Sequence, residues 1–408
     1  MFESWKRGLR VFFPFLCWVS IIGELRSRRR GLFWEKTGRG LPRRGQGPSV
    51  WLHTLSVGEV AGAGVLGLAI KKRFSSLRVI LTVATLAGYK RAQRHFGDHL
   101  EVWPGPLLCS QVFERYFQAF SPRLFVLVES DLWPNLIYYL KKKGLPLLLA
   151  NAALSEKSYK RLARVPRLAR WLYGPFSVLV AASPEDRARL TRLLPQTPIL
   201  YLGNLKYDFP PPSPEEVENL RRTLLPHLQN PIIVAGSTHP GEEVLILKAF
   251  RLLGKGSLIL CPRKPERATE LLALSREFGL SAALRSRPSP SQVLVVDTLG
   301  ELRALYGLAE VALVGGSWVP IGGHNLLEPA ALKVPVVFGP YTESVDSVAR
   351  ELLSSGGGLR VASDPSALAQ TLERTLVEKS LRGKAAFSVY QTHRGAVDRY
   401  LRLLSQFL

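Results

Sequence analysis

The sequence predicts an α/β protein of two domains, each with a parallel sheet covered by helices. Three observations support this class: a length of 408 residues, short apolar runs that alternate with helical stretches from about residue 49, and one proline-rich interruption of that alternation. A chain of this length exceeds one ordinary domain. Strands that read as continuous apolar runs are typical of parallel sheets, because helices bury both of their faces.

The predicted strands form two groups on either side of the interruption. In the first group they are residues 50–52, 79–81, 124–128, 147–149 and 178–180. In the second group they are residues 232–234, 258–260, 293–296, 311–314 and 336–338. Four prolines within 210–214 can continue neither a helix nor a central strand. We therefore predict a linker at 209–214 between an amino-terminal domain, 31–208, and a carboxy-terminal domain, 215–385.

The amino terminus carries an apolar run, residues 11–22, between Lys6, Arg7 and Arg10 on one side and the arginines of 26–30 on the other. The run is shorter than the roughly 20 apolar residues of a transmembrane helix, and no small-residue cleavage site follows it as in a signal peptide. Apolar and aromatic side chains flanked by cations favour a membrane interface with anionic headgroups. We predict that 1–30 is a shallow membrane-anchoring segment; a buried helix of a soluble domain is the alternative.

The charge balance predicts anionic partners. Lys and Arg number 55 against 32 acidic residues, which gives a formal charge of +23. Nucleic acid, acidic phospholipid and a phosphorylated substrate all fit such a surface. Cys17, Cys109 and Cys261 are isolated, without a CxxC pair, which indicates a reducing compartment and argues against a thiolate zinc site.

A glycine-rich loop at 315–329 joins the predicted strand 311–314 to the start of a helix. Backbone N–H groups at the carboxyl end of a parallel strand, facing a helix N-terminus, suit the phosphate of an activated donor. An alternative stays open, because Asn325 and Glu328 have the spacing of a capping box, in which Glu328 would only satisfy the helix terminus.

Four blocks at strand ends resemble, in order, those of the bacterial 3-deoxy-manno-octulosonic acid (Kdo) transferases. They are residues 51–60, the ESDLWPN segment at 129–135, residues 236–243 with 262–267, and the glycine loop. The resemblance implies a GT-B glycosyltransferase with two Rossmann-like domains facing across a cleft. It also implies inverting, metal-independent transfer of Kdo from CMP-Kdo to a lipid A precursor at the cytoplasmic face of the bacterial inner membrane. By analogy, 386–408 would be a helix that packs back on the first domain.

The resemblance places the acceptor on the amino-terminal domain and a general base at Glu59. That glutamate follows Gly58 at a strand-to-helix turn, where it would take the proton of the attacking hydroxyl. The alternative is that Glu59 only complements the helix dipole. Glu129 is the second catalytic candidate, with a strand-end role as its alternative. Acceptor binding is predicted for Ser56, Gly58 and Asp131, whereas Trp133 and Pro134 are predicted to fix their loop by packing.

The donor is predicted to bind mainly to the carboxy-terminal domain. No D-x-D pair occurs, so side-chain cations and backbone N–H groups would stabilise the departing CMP, and neither a metal nor another cofactor is expected. We interpret His239 and His324 as hydrogen-bonding loop residues rather than metal ligands. The predicted donor-binding residues are Lys206, Ser237, Thr238, Arg263, Gly315, Gly316, Gly322, Gly323, Asn325 and Glu328.

Two alternatives remain open at this point. Ala153 and Pro106 depart from the family pattern, which keeps a GT-B transferase with a different nucleotide sugar in view. The charge alone would also suit a non-enzymatic protein that binds anionic membranes or nucleic acid. No RNA-binding aromatic signature, helix-turn-helix or zinc spacing appears, so CMP-Kdo, a lipid A precursor and anionic inner-membrane lipids are the predicted partners, and nucleic acid is not.

Overall fold

Parallel pairing organises the computed structural model into two seven-stranded sheets. The structure describes residues 32–129 and 132–408. Within that part, the chain divides into one unit of 32–209 with 394–408, and a second unit of 210–393. The predicted membrane-anchoring segment 1–30 lies outside the described residues, as does Asp131. Among the residues described, none of the helices is long and apolar enough to span a bilayer.

The first unit alternates strands and helices along the chain. Its strands are β1 (Ser49–Thr54), β2 (Arg78–Val83), β3 (Glu101–Pro104), β4 (Pro122–Val128), β5 (Leu147–Ala152), β6 (Val178–Ala181) and β7 (Ile199–Tyr201). Its helices are α1 (Phe33–Lys36), α2 (Val60–Arg73), α3 (Leu86–Phe96), α4 (Ser110–Phe120), α5 (Pro134–Lys142), α6 (Glu156–Ala163), α7 (Pro166–Tyr173) and α8 (Pro184–Leu193), with the final helix described below.

The second unit repeats that alternation. Its strands are β8 (Ile232–Thr238), β9 (Ser257–Pro262), β10 (Ala282–Leu284), β11 (Val293–Val295), β12 (Val311–Val314), β13 (Val336–Phe338) and β14 (Gly358–Arg360). Its helices are α9 (Pro214–Leu224), α10 (Glu242–Leu253), α11 (Ala268–Glu277), α12 (Leu302–Leu305), α13 (Leu327–Ala330), α14 (Asp346–Ser355), α15 (Pro365–Val377) and α16 (Lys379–His393). All ten apolar runs predicted as strands lie in or overlap these strands.

Both sheets are wound outward from a central first strand. The strand order is β3-β2-β1-β4-β5-β6-β7 in the first unit and β10-β11-β9-β8-β12-β13-β14 in the second. The chain therefore reverses direction across the sheet between β1 and β4, and again between β8 and β12. In open parallel sheets, ligands bind outside the carboxyl ends of the strands at such a switch point. The topology thus marks one candidate edge in each unit.

The ends of the second unit differ in detail from the predicted boundaries. The proline-rich segment ends by starting a helix: Ser213 caps α9 in a capping box with Glu216, and Pro214 is its first residue. The predicted returning helix 386–408 is two helices, because α16 stays in the second unit and the chain rejoins the first unit at Arg394. The final helix, α17 (Ala396–Leu404), buries Tyr400 in the core of the first unit.

Candidate active site

Glu59 lies immediately before α2, in the turn after β1, and is only 6% exposed. Its Oε2 accepts hydrogen bonds from the backbone nitrogens of Leu55 at 2.6 Å and Ser56 at 3.2 Å. Its Oε1 accepts one from the Ser56 hydroxyl at 3.0 Å. The carboxylate therefore binds the preceding turn and does not cap the first amides of α2. Because Glu59 is the N-cap residue of α2, the alternative that it complements the helix dipole stays open.

The environment of Glu59 favours its neutral form more than water does. Burial raises the pKa of Glu59, and the negative charge of Glu129 raises it further, whereas hydrogen bonds from Leu55 and Ser56 oppose the shift. The net direction is upward. A carboxylate whose charge is poorly compensated is a stronger base, which suits a group that must take a proton from a hydroxyl.

Glu129 follows β4, the strand next to β1, and has a left-handed backbone with φ of 73°. A non-glycine residue adopts that conformation at an energetic cost, and such strain concentrates at functional sites. Its Oε1 lies 2.7 Å from Nζ of Lys206, and the two side chains are 16% and 40% exposed. The structure thus brings Glu59, Glu129 and Lys206 to one edge, although Lys206 was predicted as a donor ligand.

Asn151 is a residue of this edge that the sequence analysis did not identify. It is the last residue but one of β5 and has φ of 55°. It donates its backbone N–H to the Tyr400 hydroxyl at 2.8 Å and accepts the Leu205 N–H on its Oδ1 at 3.2 Å. The second hydrogen bond fixes the loop that carries Lys206. No local sequence signal identifies this role, since both partners are distant along the chain.

The predicted acceptor residues have distinct settings. Ser56 hydrogen-bonds Glu59 as described, and among the residues that the structure describes a Cβ built on Gly58 would meet only the Ser56 hydroxyl oxygen, at 3.9 Å. Trp133 packs edge-on against the His53 ring, with centroids 5.2 Å apart, which is consistent with the predicted packing role.

In the second unit, the glycine loop does not present its first amides to solvent. The backbone nitrogens of Gly316, Ser317 and Trp318 donate to the carboxylate of Glu242 at 2.8, 2.9 and 2.8 Å. That side chain is fully buried at the start of α10. The prediction that these amides face a donor phosphate is therefore wrong, because a carboxylate of the chain itself occupies them.

The glycines of the loop are explained by backbone geometry. Gly322 has φ of 99°, and a Cβ there would lie 2.5 Å from the Ser344 hydroxyl oxygen. A Cβ on Gly315 would lie 2.5 Å from the Ser237 carbonyl oxygen, so the β8 and β12 ends approach closely. Gly323 donates its N–H to the Gly316 carbonyl at 2.7 Å. These contacts account for the glycines, and their donor-binding role stays a prediction.

Asn325 and Glu328 do not form a capping box. The Asn325 Oδ1 accepts the Leu327 N–H at 3.0 Å, and α13 has no side-chain cap on its N-cap residue. Glu328 is partly exposed, yet protein packs around its carboxyl group densely enough to raise its pKa to about 7. Arg303 and Arg263 oppose that shift. The contact of Glu328 with the donor stays a prediction.

Two histidines meet beside Arg263 at this second edge. The Nε2 atoms of His239 and His324 are 2.8 Å apart, and their nearly parallel rings meet edge to edge with centroids 5.1 Å apart. Burial and the Arg263 charge lower the pKa of His324 to about 4. Arg263 itself is exposed and directly follows β9, and its backbone N–H donates to the Thr238 carbonyl at 2.9 Å.

Ser237 and Thr238 form an irregular end of β8. Ser237 has φ of 56°, and the pairing with β9 shifts register between Gly236 and Thr238. The Thr238 side chain is buried, so its predicted contact with the donor would have to come from the backbone. Within the described ranges, no group of three or more His, Cys, Asp and Glu residues is arranged to hold a metal ion.

Comparisons with known proteins agree with the sequence blocks. A family model for 3-deoxy-D-manno-octulosonic-acid transferase (kdotransferase) matches residues 27–209. The enzyme of that name from Haemophilus influenzae is 32% identical over 96% of this chain and 95% of its own length. The one from Bordetella pertussis is 31% identical over 94% of each chain.

A solved structure extends the likeness to the architecture. The UDP-GlcNAc 2-epimerase of Neisseria meningitidis, in its complex with UDP-GlcNAc, matches 88% of this chain and 100% of its own with a TM-score of 0.61 at 13% identity. At that identity the match concerns the fold alone, and it confirms the predicted GT-B class. With two parallel α/β units and relatives over almost its whole length, the chain belongs to the 3-deoxy-D-manno-octulosonic acid transferases, a family of glycosyltransferases.

Proposed function

We propose that this transferase moves Kdo from CMP-Kdo to a lipid A precursor, with inversion and without a metal ion. The observation that carries the proposal is the buried carboxylate of Glu59, which lies at the β1/β4 switch point with a raised pKa. Family membership supplies the sugar, since the relatives are named for transfer of this acid. The donor nucleotide, the acceptor and the stereochemistry are parts of the proposal.

The proposed reaction is a single displacement at the anomeric carbon. The acceptor hydroxyl oxygen forms a bond to that carbon while the bond from the carbon to the phosphate oxygen of CMP breaks on the opposite face. The hydroxyl proton passes to Glu59, and CMP leaves with the bonding electron pair. Glu129 adds negative charge that raises the pKa of Glu59, and Lys206 neutralises part of that charge through its 2.7 Å ion pair.

The second unit would hold the donor through side chains rather than through the first amides of its glycine loop. Arg263 is an exposed guanidinium beside the histidine pair, and it can pair with a phosphate or with the carboxylate of the sugar. Glu328 and Asn325 are proposed to contact the ribose side of the nucleotide. Charge stabilisation by Arg263 would replace a divalent ion.

The test is transfer by the purified full-length chain. Wild-type protein with CMP-Kdo and tetraacyl lipid A is expected to give a Kdo-bearing lipid, at an equal rate with EDTA or with added Mg²⁺. Anomeric analysis of the product should show inversion. Failure to transfer, combined with thermal stabilisation by another nucleotide sugar, would favour the alternative donor that Ala153 and Pro106 keep open. If EDTA abolished activity and Mg²⁺ restored it, the proposal that transfer is independent of a metal ion would be contradicted.

We also propose that the enzyme works at the cytoplasmic face of the bacterial inner membrane, docked on anionic lipid. Two residues join helices α6 and α7, and one of them, Val165, is 50% exposed. The basic residues of the two helices and their connection, here called the α6–α7 segment, are all exposed: Lys157, Lys160, Arg161, Arg164, Arg167 and Arg170. Clustered cations beside an exposed apolar side chain suit a bilayer with anionic headgroups.

Vesicle sedimentation tests the docking surface. Changing Lys157, Arg161, Arg164 and Arg167 to Ser should weaken binding to phosphatidylglycerol vesicles but leave the weak binding to phosphatidylcholine unchanged. A matched control removes the same charge from exposed positions of the second unit: Arg222, Arg251, Arg374 and Lys384. Equal loss in both variants would mean that net charge, not the α6–α7 segment, drives binding. Retained vesicle binding with lost oligonucleotide binding would instead favour a nucleic-acid surface.

A further inference from the structure

Glu242 is a buried carboxylate that binds four backbone amides. Its side chain is 0% exposed. Oε1 accepts the N–H groups of Ser317 and Trp318 at 2.9 and 2.8 Å. Oε2 accepts those of Gly316 at 2.8 Å and of His239 at 2.9 Å. Both oxygens of this carboxylate therefore accept two backbone N–H groups each.

The four amides belong to two different loops. His239 follows β8, whereas Gly316, Ser317 and Trp318 follow β12, and these two strands flank the switch point of the second sheet. The Glu242 carboxylate therefore ties together the two chain segments between which the fold class places its ligand. In many proteins a bound phosphate fills such a set of amides. Here the protein supplies the anion itself.

The four hydrogen bonds that Glu242 accepts, here called the Glu242 clamp, are continued by backbone hydrogen bonds to the segment that carries His324. The Gly323 N–H donates to the Gly316 carbonyl at 2.7 Å, and the His324 N–H donates to the Gly315 carbonyl at 3.3 Å. The backbone that carries His324 is thus held to the same turn that Glu242 holds. Because Glu242 also binds the backbone of His239, it fixes the main chain under both rings of the 2.8 Å histidine pair.

We propose that Glu242 is a positioning residue for the sugar-nucleotide donor. It holds the two loops that carry His239 and His324, and it keeps the following segment with Asn325 and Glu328 in the conformation that receives the donor. The inference rests on the proposed function for the identity of the donor. Glu242 holds the loop in place before the donor binds, and its effect on the reaction is through the position of the donor. A displacement of about 1 Å at a binding site can reduce the rate roughly a hundredfold.

The adjacent residue provides a matched comparison. Glu243 is also buried, at 1% exposure, in the same first turn of α10. Its carboxylate pairs with Arg267 at 2.6 Å, and no hydrogen bond from the glycine loop to it is found among the described residues. Removal of either glutamate deletes a buried carboxylate from one helix end. Only the change at Glu242 leaves the four backbone amides without the carboxylate that accepts their hydrogen bonds.

Chemical rescue tests the inference. Glu242→Ala in the full-length protein should raise the KM for CMP-Kdo at least about tenfold, with the KM for the lipid acceptor within about twofold of wild type. Sodium formate, a carboxylate that fits the emptied space, should restore the donor KM toward wild type, whereas sodium chloride at equal ionic strength should not. Glu243→Ala should show no formate dependence.

Hydrogen exchange gives a second measurement that needs no turnover. The amides of Gly316, Ser317 and Trp318 should lose protection in Glu242→Ala and regain it with formate. Those amides should keep their protection in Glu243→Ala. If wild-type protein fails to transfer Kdo while exchange behaves as described, the clamp stands and the proposed function fails.

Other outcomes overturn the inference. A fall in maximal rate with unchanged KM for both substrates would show only a smaller folded fraction. An unchanged donor KM in a folded Glu242→Ala protein would show that the loop keeps its conformation without the clamp. A raised donor KM that formate does not lower, with the three amides still protected, would show that the defect does not arise from loss of the Glu242 clamp.

A further variant gives an intermediate case. Glu242→Gln retains one oxygen acceptor, so its KM for the donor should lie between those of wild type and Glu242→Ala.

Discussion

Glu59 in the first unit and Glu242 in the second occupy matching places: each follows a glycine at a strand-to-helix turn beside a switch point, and each is buried. Their partners differ. Glu59 receives two amides and one hydroxyl, and burial and Glu129 together raise its pKa. Glu242 receives four amides. The comparison indicates that one local pattern gives two environments: a carboxyl group with a raised pKa at Glu59, as its proposed base role requires, and a carboxylate held by two loops at Glu242, as its proposed positioning role requires.

The largest effect should follow removal of the proposed base. Glu59→Gln keeps the shape of the side chain but cannot take a proton, so transfer should fall roughly 10²–10⁴-fold. Thermal stabilisation by CMP, which reports the second unit, should persist. Activity within about threefold of wild type would remove Glu59 from the base role and break the contrast with Glu242.

A second effect concerns stability in the second unit. The pKa of Glu328 is raised from 4.5 to about 7, so between these values the folded state binds more protons than the unfolded state. Stability should therefore fall as pH rises through this window and stay reduced above it. Glu328→Gln should be more stable than wild type at pH 8 by roughly 1–3 kcal/mol, and about equal at pH 4. Denaturant unfolding at both pH values measures this; equal stability at pH 8 would contradict it.

Two substitutions at the first edge should shift the acidic limb of the pH–rate profile in opposite directions. Glu129→Gln removes a negative charge that raises the pKa of Glu59, so the limb should move to lower pH. Lys206→Met leaves Glu129 without its 2.7 Å partner, so the limb should move to higher pH. Each shift should be roughly 0.5–1 pH unit in the pH profile of kcat/KM. Shifts of the same sign would contradict the electrostatic coupling.

The smallest effect should come from Ser56→Ala. The Ser56 hydroxyl donates to Glu59 Oε1 and lowers its pKa, so its loss should raise the acidic limb by a few tenths of a unit. Unfolding free energy should fall by about 1 kcal/mol. A downward shift of the limb would show that the hydroxyl stabilises the neutral acid instead.

The strands that the sequence analysis missed share one property: β3, β7, β10 and β14 are the edges of the two sheets. Interior strands are buried on both faces and read as continuous apolar runs. All four edge strands are partly exposed and only three or four residues long. Glu101 in β3 and Arg360 in β14 also interrupt the apolar run that identified the central strands, whereas β7 and β10 contain no such polar residue.

The site was only partly predictable. The motif at 51–60 placed Glu59 beside a strand end, and the structure puts its carboxylate next to Glu129, as strand order allows. The spacing of Asn325 and Glu328 suggested a capping box that does not form. The glycines of 315–323 suggested free amides, yet Glu242 occupies three amides of that loop from more than seventy residues away. Spacing along the chain shows which hydrogen bonds are possible. Residues far away in the sequence compete for the same groups and decide which of those hydrogen bonds form.

Local patterns in the sequence were sufficient to predict the two α/β units, their central strands, the proline-rich boundary and the family, because apolar runs and motif blocks are read from neighbouring residues. Three features became visible only in the folded chain: the Glu129–Lys206 pair, the left-handed backbone at Asn151 and Ser237, and the carboxylate that fills the glycine loop. Those features depend on which segments meet after the sheets form. Hydrogen-bond partners and local dielectric are set by that long-range approach, which no window of sequence contains.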